Sequence, residues 1–323
     1  MSATAQSSKI FAAIDVGTNA SRLKMVTLRP DGSFSTVHKS REAIRPGEGV
    51  FETGKMARPV ADRLVETIGG YAAFCERWGA QVRAVATSAM REARNADKVQ
   101  ERIEKETGIH LEVISGIEEA ALICKGVLHW KSRSDESIVF DIGGGSTEVI
   151  HARGDDPIDL YSLKLGTVRL TELFNAADFV PEKQLEMMRE YVREQIAANL
   201  PGEGWDHLTH AYGSSGTIRA LADFTPCEMS KTVPAEDFSI AVEELAEMTA
   251  KKRYKFFHER RADIIVAGAV VLEGLMEHLG VDYVHAVKLG LREGILFEMM
   301  RAAQPTELQL ELPPIARELG KGS

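Results

Sequence analysis

The sequence predicts an α/β protein of two related halves around a cleft, and three observations predict it. An Asp-x-Gly turn is written twice, as Asp15-Val16-Gly17-Thr18-Asn19 and as Asp141-Ile142-Gly143-Gly144-Gly145-Ser146-Thr147-Glu148, roughly 125 residues apart, a spacing near the size of a domain. Each turn follows a short apolar run and precedes more strand-like sequence. The order strand, strand, strand, helix, strand, helix, strand, helix can be read in both halves, and strands alternating with helices imply sheets with helices packed on their faces.

In the first half, residues 11–15 and 22–28 read as strands, Pro30-Asp31-Gly32 as a turn, and residues 33–39 as the alternating hairpin partner. Val60, Leu64, Val65 and Ile68 share one face of a helix that runs through Gly69-Gly70 and on past Tyr71, Phe74 and Trp78 to Gly79. Residues 81–87 form a short buried strand. Residues 88–95 begin a helical stretch that 97–107 continue to Gly108, residues 111–114 are a strand, and 117–128 a helix.

The second half repeats that order. Strands cover 137–141, 148–153 and 158–164, the last two joined by the turn Gly154-Asp155-Asp156-Pro157. An amphipathic helix spans 181–200, a strand 207–212 and a helix 217–224; further helices lie around 238–250 and 262–279, before a strand at 283–287 and a last helix at 291–302. The boundary is placed between Lys125 and Asp135, giving units 1–125 and 126–303, with helix 291–303 a candidate to pack back on the first unit. Residues 304–323, with Pro305, Pro313 and Pro314, read as a loose or surface-packed tail. The repeat extends beyond the turns: Leu163-Lys164-Leu165-Gly166 takes the place in the second half that Ala43-Ile44-Arg45-Pro46-Gly47 takes in the first.

A chain of 323 residues is long enough for two cores, and 44% hydrophobic with 27% charged residues is the composition of a soluble globular protein. No apolar run approaches the roughly 18–20 residues that span a bilayer. Residues 1–9 are polar with no apolar signal core, so a cytoplasmic location is expected. Cys75, Cys124 and Cys227 are scattered without metal-site spacing, which suits free thiols in a reducing compartment. The nine histidines are dispersed, with only a weak His207-x-x-His210 pair, and read as surface or core residues. A net charge of −9 argues against broad nucleic-acid binding but not against a small anion held by backbone amides, a few cations and a metal.

The chemistry lies in the turns. An acid ending a strand before a small-residue turn can hold a divalent cation beside N–H groups that grip phosphate, which nominates Asp15 and Asp141. Gly17, Gly143, Gly144 and Gly145 let the backbone approach a ligand and take φ > 0 where needed, while Thr18, Asn19, Ser21, Ser146 and Thr147 supply short polar groups. The alternative is a pair of ordinary tight hairpins. Arg22 and Arg91 can pair with phosphate in a fork, or serve as surface ion-pair members. In Ile114-Ser115-Gly116-Ile117-Glu118-Glu119-Ala120, neighbours about 100° apart on a helix let one glutamate cap while the other faces the cleft to deprotonate a water. A third turn, Gly213-Ser214-Ser215-Gly216-Thr217, opens a helix N-terminus suited to an anion or nucleotide, or is a plain turn capped by Ser215 or Thr217.

These turns resemble those of the actin, sugar-kinase and heat-shock ATPase superfamily. The set narrows to one family: residues 11–23 with Asp15-Val16-Gly17-Thr18-Asn19, residues 86–95 with Arg91, residues 114–120, residues 140–148, residues 162–172 and Leu289-Gly290-Leu291-Arg292-Glu293-Gly294 resemble motifs of the exopolyphosphatase/guanosine pentaphosphate phosphohydrolase (Ppx/GppA) family. The resemblance implies two actin-like (ribonuclease H-like) domains around a central cleft. It implies a cytoplasmic hydrolase of the stringent response that acts on polyphosphate, with shorter chains expected, or on guanosine penta- or tetraphosphate. It implies Glu119 as the base, Asp15, Asp141 and Glu148 near Mg2+ or another divalent cation, Glu148 also orienting water, and Arg91 on phosphate. No nucleic-acid or membrane partner is implied, and family habit suggests a homodimer of the short two-domain form. Departures are Thr18 where serine is common, Arg45-Pro46 in a leucine-glycine-rich run, and Lys164 where proline is usual, the last two near the expected rim. The rival readings are a non-catalytic sensor of polyphosphate or alarmone and a nucleotide-dependent ATPase or kinase.

Overall fold

The structure, a computed structural model, describes residues 8–30, 32–129, 135–202, 205 and 207–303. Asp31 of the expected first turn, residues 130–134 of the expected boundary and the expected tail 304–323 lie outside the described residues.

The first half opens with a meander, β1 (Lys9–Val16), β2 (Ser21–Leu28) and β3 (Phe34–Glu42). Helices α1 (Val50–Thr53) and α2 (Arg58–Arg77), strand β4 (Gln81–Ala86), helices α3 (Ser88–Glu92) and α4 (Ala96–Thr107), strand β5 (Leu111–Val113) and helix α5 (Gly116–Leu128) follow. The sheet order is β3-β2-β1-β4-β5, antiparallel across the meander and parallel from β1 to β5. The second half contains β6 (Glu136–Ile142), β7 (Thr147–Arg153), β8 (Asp156–Leu163), α6 (Thr167–Leu173), α7 (Glu182–Asn199), β9 (His210–Gly213) and α8 (Gly216–Phe224). It closes with β10 (Thr232–Pro234), α9 (Phe238–Glu247), α10 (Ala250–Arg253), α11 (Glu259–Ala262), α12 (Ile265–Leu279), β11 (Tyr283–Ala286) and α13 (Leu291–Ala302). Its order, β8-β7-β6-β9-β11 with β10 added at the edge, repeats that of the first sheet. Two α/β sheets with the same strand order are the fold that the repeated turns predicted.

Several boundaries move for local reasons. The expected continuous helix from 88 to 107 breaks because Ala93 turns extended (φ −73, ψ 117) and Asn95 caps a new helix. The helix expected around 238–250 ends at extended Met248, and Thr249 caps α10 by accepting from Lys252 N. Pro157 lies in β8 rather than in the turn; β8 is an edge strand, where a missing N–H costs little. The strand expected from 207 begins only at His210. The pieces absent from the sequence reading, α1, α6, α10, α11 and β10, are two turns or shorter, too brief for periodicity to reveal.

Strand alternation sorts the cores. Ala12, Ile14 and Val16 of β1 join α2 and α4 in one cluster, and Ile138, Phe140 and Ile142 of β6 join α7 and α12 in another. The opposite faces, with Phe11, Ala13, Val139 and Ile150, meet in a third cluster built around α5 and α13. These two helices approach backbone to backbone: a Cβ on Gly294 would overlap the Leu122 carbonyl, and one on Gly126 would overlap Gly290 and come 2.7 Å from Gly294 N. We expect Gly294→Ala to destabilise the protein by about 1–3 kcal/mol through overpacking, read as a lower melting temperature, because both clashes are with backbone that cannot rotate away. A melting temperature equal to wild type would refute this close packing. No helix among the described residues is long and apolar enough to cross a membrane.

Candidate active site

The segment before α5 places one glutamate outside and one inside. Ser115 Oγ accepts from Glu118 N (3.1 Å), and Ser115 N donates to Glu118 Oε2 (2.7 Å), a reciprocal capping box that holds Glu118 at the surface. One residue on, Glu119 is buried and lines the cleft. Arg91 Nη1 donates to the Ile114 carbonyl at 2.8 Å and to Glu119 Oε2 at 3.4 Å. Burial first, and then the negative charge of Glu148, hold the Glu119 carboxyl well above the usual carboxylate range, with Arg91 opposing. Glu148 is raised likewise by burial and by Asp141, against the Ser162 hydroxyl, which donates to it at 2.8 Å. A desolvated carboxyl among other acids is how a fold holds a proton acceptor near neutrality.

The two glycine turns have one geometry. Gly17 N donates to Ala20 O at 3.1 Å, and Gly143 N to Ser146 O at 2.9 Å. Each is braced from its own half at matching places, Gly47 N to Thr18 O and Thr167 N to Gly143 O, both 2.9 Å. None of Gly17, Gly143, Gly144 and Gly145 has a positive φ, so of the two expected uses of these glycines, close backbone approach and φ > 0 where needed, the second is not called on. What Gly144 and Gly145 serve is close approach: a Cβ on Gly144 would lie 2.8 Å from Thr18 Cβ, and one on Gly145 would come 2.9 Å from Thr18 Oγ1 and overlap Phe51 and Ser88. Thr18 is therefore wedged between Gly47 and Gly144, and the first turn abuts the second.

The cleft brings together Asp15, Gly17, Thr18, Asn19 and Arg22 from the first half with Glu119, and Asp141, Gly143, Gly144, Gly145 and Ser146 from the second. The third turn contributes Ser214, Ser215, Gly216 and Thr217. Arg22 Nη1 sits 3.2 Å from Asp15, and the Ser214 hydroxyl donates to Asp141, whose carboxyl is raised chiefly by burial. Ser215 is the cap of α8, accepting from Ile218 N at 3.0 Å. Five expected residues stand behind the cleft wall. Thr147 is fully buried with its hydroxyl donated to Leu165 O at 2.5 Å, Ser21 is fully buried at the start of β2, Gly213 closes against Ile218, Arg91 reaches the site through Glu119, and Glu148 is tied to Ser162.

Cations that the sequence reading assigned no role complete the cleft. Arg219, Arg261, Lys288 and Arg292 line it with Thr87, Ser88 and Glu293. Arg261 is pushed down to about 10 by burial and by Arg41, Arg22 and Arg219; Arg219 is lowered by burial and then Arg22. Neither has a carboxylate ion-pair partner among the described side chains. Buried arginines that repel one another across a cleft are relieved by an anion. Arg292 and Glu293 lie within Leu289-Gly290-Leu291-Arg292-Glu293-Gly294 and Arg219 follows the third turn by one helical step, local signals that Arg261 lacks.

The donors suit an open cation site and not a closed one. Among the described residues no group of three His, Cys, Asp or Glu side chains could hold an ion alone, so Asp15, Asp141 and Glu148 do not make a closed cage. Asp15 and Asp141 remain on the cleft wall. One or two carboxylates completed by water and phosphate oxygens is the habit of Mg2+. At the rim, Arg45, at φ 50, pairs with Asp263 across the cleft (2.5 Å), Gly49 N donates to Glu172 at 3.1 Å, and Arg169 pairs with Glu92 while lying 4.0 Å over the Phe51 ring. The Arg45 charge is thus engaged with protein, Pro46 is buried, and Lys164 is exposed.

Comparison with known proteins shows what the chain as a whole is similar to. The family model described as Ppx/GppA phosphatase family matches residues 25–303. Exopolyphosphatase 1 of Mycobacterium leprae is 32% identical over 301 residues, covering 89% of this chain and 88% of the relative. The guanosine-5'-triphosphate,3'-diphosphate pyrophosphatase of Vibrio parahaemolyticus is 30% identical over 315 residues, covering 94% of this chain and 62% of the relative. Among solved structures, the Aquifex aeolicus Ppx/GppA family member superposes with a TM-score of 0.76 at 26% identity, covering 93% of this chain and 100% of that one. An exopolyphosphatase from Cytophaga hutchinsonii gives 0.80 at 26% identity, covering 91% and 98%.

Proposed function

The chain belongs to the Ppx/GppA phosphatase family, and from that premise we propose that it is a phosphohydrolase releasing the terminal phosphate of inorganic polyphosphate, of guanosine pentaphosphate, or of both. The observation that carries the reading is Glu119: a buried carboxyl in the wall of a cleft that also holds two facing glycine turns and, in Arg219 and Arg261, arginines without a carboxylate partner among the described side chains. Turn amides and Arg22, Arg219 and Arg261 would hold the phosphoryl oxygens, and such fixed donors are the main electrostatic term in phosphoryl transfer. Glu119 would take a proton from the attacking water as a new P–O bond forms and the terminal anhydride P–O bond breaks, the shortened chain leaving with the electron pair. A divalent cation held by Asp15 and Asp141 would neutralise charge on those oxygens. Arg91 orients Glu119, and Glu148 raises its proton affinity.

The test is phosphate release from tripolyphosphate, long polyphosphate, guanosine pentaphosphate and ATP, each with Mg2+ and with chelator. Release from either of the first two, or from the pentaphosphate, without added nucleotide is the expected result. Turnover confined to ATP would point to the kinase or ATPase reading, and tight binding with no turnover of any substrate to a sensor.

A further inference from the structure

Helix α3, five residues long, reaches both sides of the site through neighbouring side chains. Arg91 donates to the Ile114 carbonyl at 2.8 Å and to Glu119 at 3.4 Å. Glu92, about 100° further round the helix, pairs with Arg169 of the second half and accepts from the Ser88 hydroxyl at 3.4 Å. Arg169 stands in the first turn of α6, its side chain 14% exposed and its guanidinium 4.0 Å over the ring of Phe51 in α1. An arginine of one half is thus held between an acid and an aromatic ring of the other, and it is not among the residues lining the cleft.

The same guanidinium makes a second bond. Arg169 Nε donates to Gly145 O at 2.9 Å. One residue earlier, Gly144 O accepts from Val168 N at 2.8 Å and from Arg169 N at 3.1 Å. Both carbonyls of the second glycine turn are therefore drawn toward α6. In a planar trans peptide the N–H of the next residue points opposite to the carbonyl. Fixing Gly144 O fixes the direction of Gly145 N–H, and fixing Gly145 O fixes that of Ser146 N–H; both residues line the cleft. The first carbonyl is held by the α6 backbone. The second is held by the Arg169 side chain, which is itself anchored on the first half.

We propose that Arg169 is a positioning residue for the hydrolytic step: by holding the Gly145 carbonyl it aims the Ser146 N–H at the phosphoryl group, and by pairing with Glu92 it sets that amide at a fixed place relative to Glu119, which the adjacent Arg91 orients. The proposal rests on the phosphohydrolase reading above and adds to it a residue that touches neither phosphate nor water. Arginine suits the task because its planar fork makes both bonds at once, whereas a lysine ammonium is a single point of charge on a flexible stem.

The test compares Arg169→Ala, Arg169→Lys, Glu92→Ala and the Arg169→Ala/Glu92→Ala double variant on the substrate that wild type hydrolyses fastest, each protein assayed well below its melting temperature. Arg169→Ala should lower kcat about 10²-fold, the scale of a displaced oxyanion-type donor. KM should move less than about threefold, because Arg22, Arg219 and Arg261 remain in the cleft to hold the anion. Arg169→Lys keeps the charge beside Glu92 but loses the fork, and should recover less than about tenfold of that loss. Glu92→Ala should cost about tenfold, and the double variant no more than Arg169→Ala alone, since Glu92 acts through Arg169. Native kcat in Arg169→Ala or Arg169→Lys, a loss confined to KM, or a double variant slowed by the product of the two single losses would overturn the role. Hydrogen exchange reads the same geometry without turnover: the amides of residues 144–146 should exchange about tenfold faster in Arg169→Lys than in wild type. Unchanged exchange there counts against the proposal even if Arg169→Ala is too unstable to assay. Wild type that releases phosphate from no polyphosphate or guanosine pentaphosphate would instead remove the phosphohydrolase reading and the hydrolytic step with it, and exchange at the turn then still decides whether Arg169 aims it.

Discussion

Glu119→Gln is expected to lower phosphate release by about 10²–10⁴-fold while the protein stays folded and still binds polyphosphate. The substitution keeps the shape of the side chain and a carbonyl oxygen for Arg91, but removes the group that accepts a proton from water. The electrostatics sharpen the expectation. Burial and Glu148 raise the Glu119 carboxyl, so the folded state holds its proton at a pH where the unfolded chain has released it. Such a group weighs against stability increasingly as pH rises from the unfolded pKa, near 4.3, toward the raised folded value. Gln cannot ionise, so the variant should melt no lower than wild type at neutral pH, and catalysis and stability part in opposite directions. In wild type the base must be deprotonated to act, so turnover should fall as pH drops through the raised value, which a bound divalent cation moves downward. The variant should lose that acidic limb together with its activity. A Glu119→Gln protein with near-native turnover would remove the assignment of the base, and one that melts lower would show that the residue holds the fold instead.

How far the sequence announced this site depends on what each residue needed from its neighbours. The acids that end β1 and β6, the glycine turns after them and the Ser115–Glu118 box are local patterns, legible because strand end, turn and cap are decided within a few residues. The repeated strand order was legible for the same reason. The triple glycine was seen for a different cause: the demand on Gly144 and Gly145 is steric and comes from Thr18, Phe51 and Ser88 of the other half, which no window around residue 144 contains. Arg261 was invisible because only the tertiary fold carries it to Thr217 and the cleft. Thr147 and Glu148 show the converse. Adjacent residues on a strand point to opposite faces, and here neither is on the cleft wall: Thr147 is spent on Leu165 and Glu148 on Ser162.

Asp141→Asn and chelation of divalent cations should each depress phosphate release on the order of 10³-fold, the scale of losing the principal charge neutralisation at the phosphoryl group. Asp15, Glu119, Asp141 and Glu148 crowd their negative charge into one buried region, and each added phosphate brings more. Burial already raises Asp141, with the Ser214 hydroxyl and Arg22 opposing and Asp15 adding to the shift. The arginines answer part of this charge, yet Arg22 is engaged by Asp15 and Arg91 by Glu119. A second anion entering that field needs a counter-charge, and Asp15 and Asp141, which line the cleft on the two turns, would be the carboxylates to hold one. Asn at 141 still accepts from Ser214, so the fold and the third turn should survive, and the loss should appear in turnover and in polyphosphate affinity together. Mg2+ should restore the chelated wild type fully and leave the variant slow. Were wild type indifferent to chelator, or Asp141→Asn within about threefold of it, the two facing acids would have to be read as structural members of their turns, and the cations of the cleft alone would carry the phosphate.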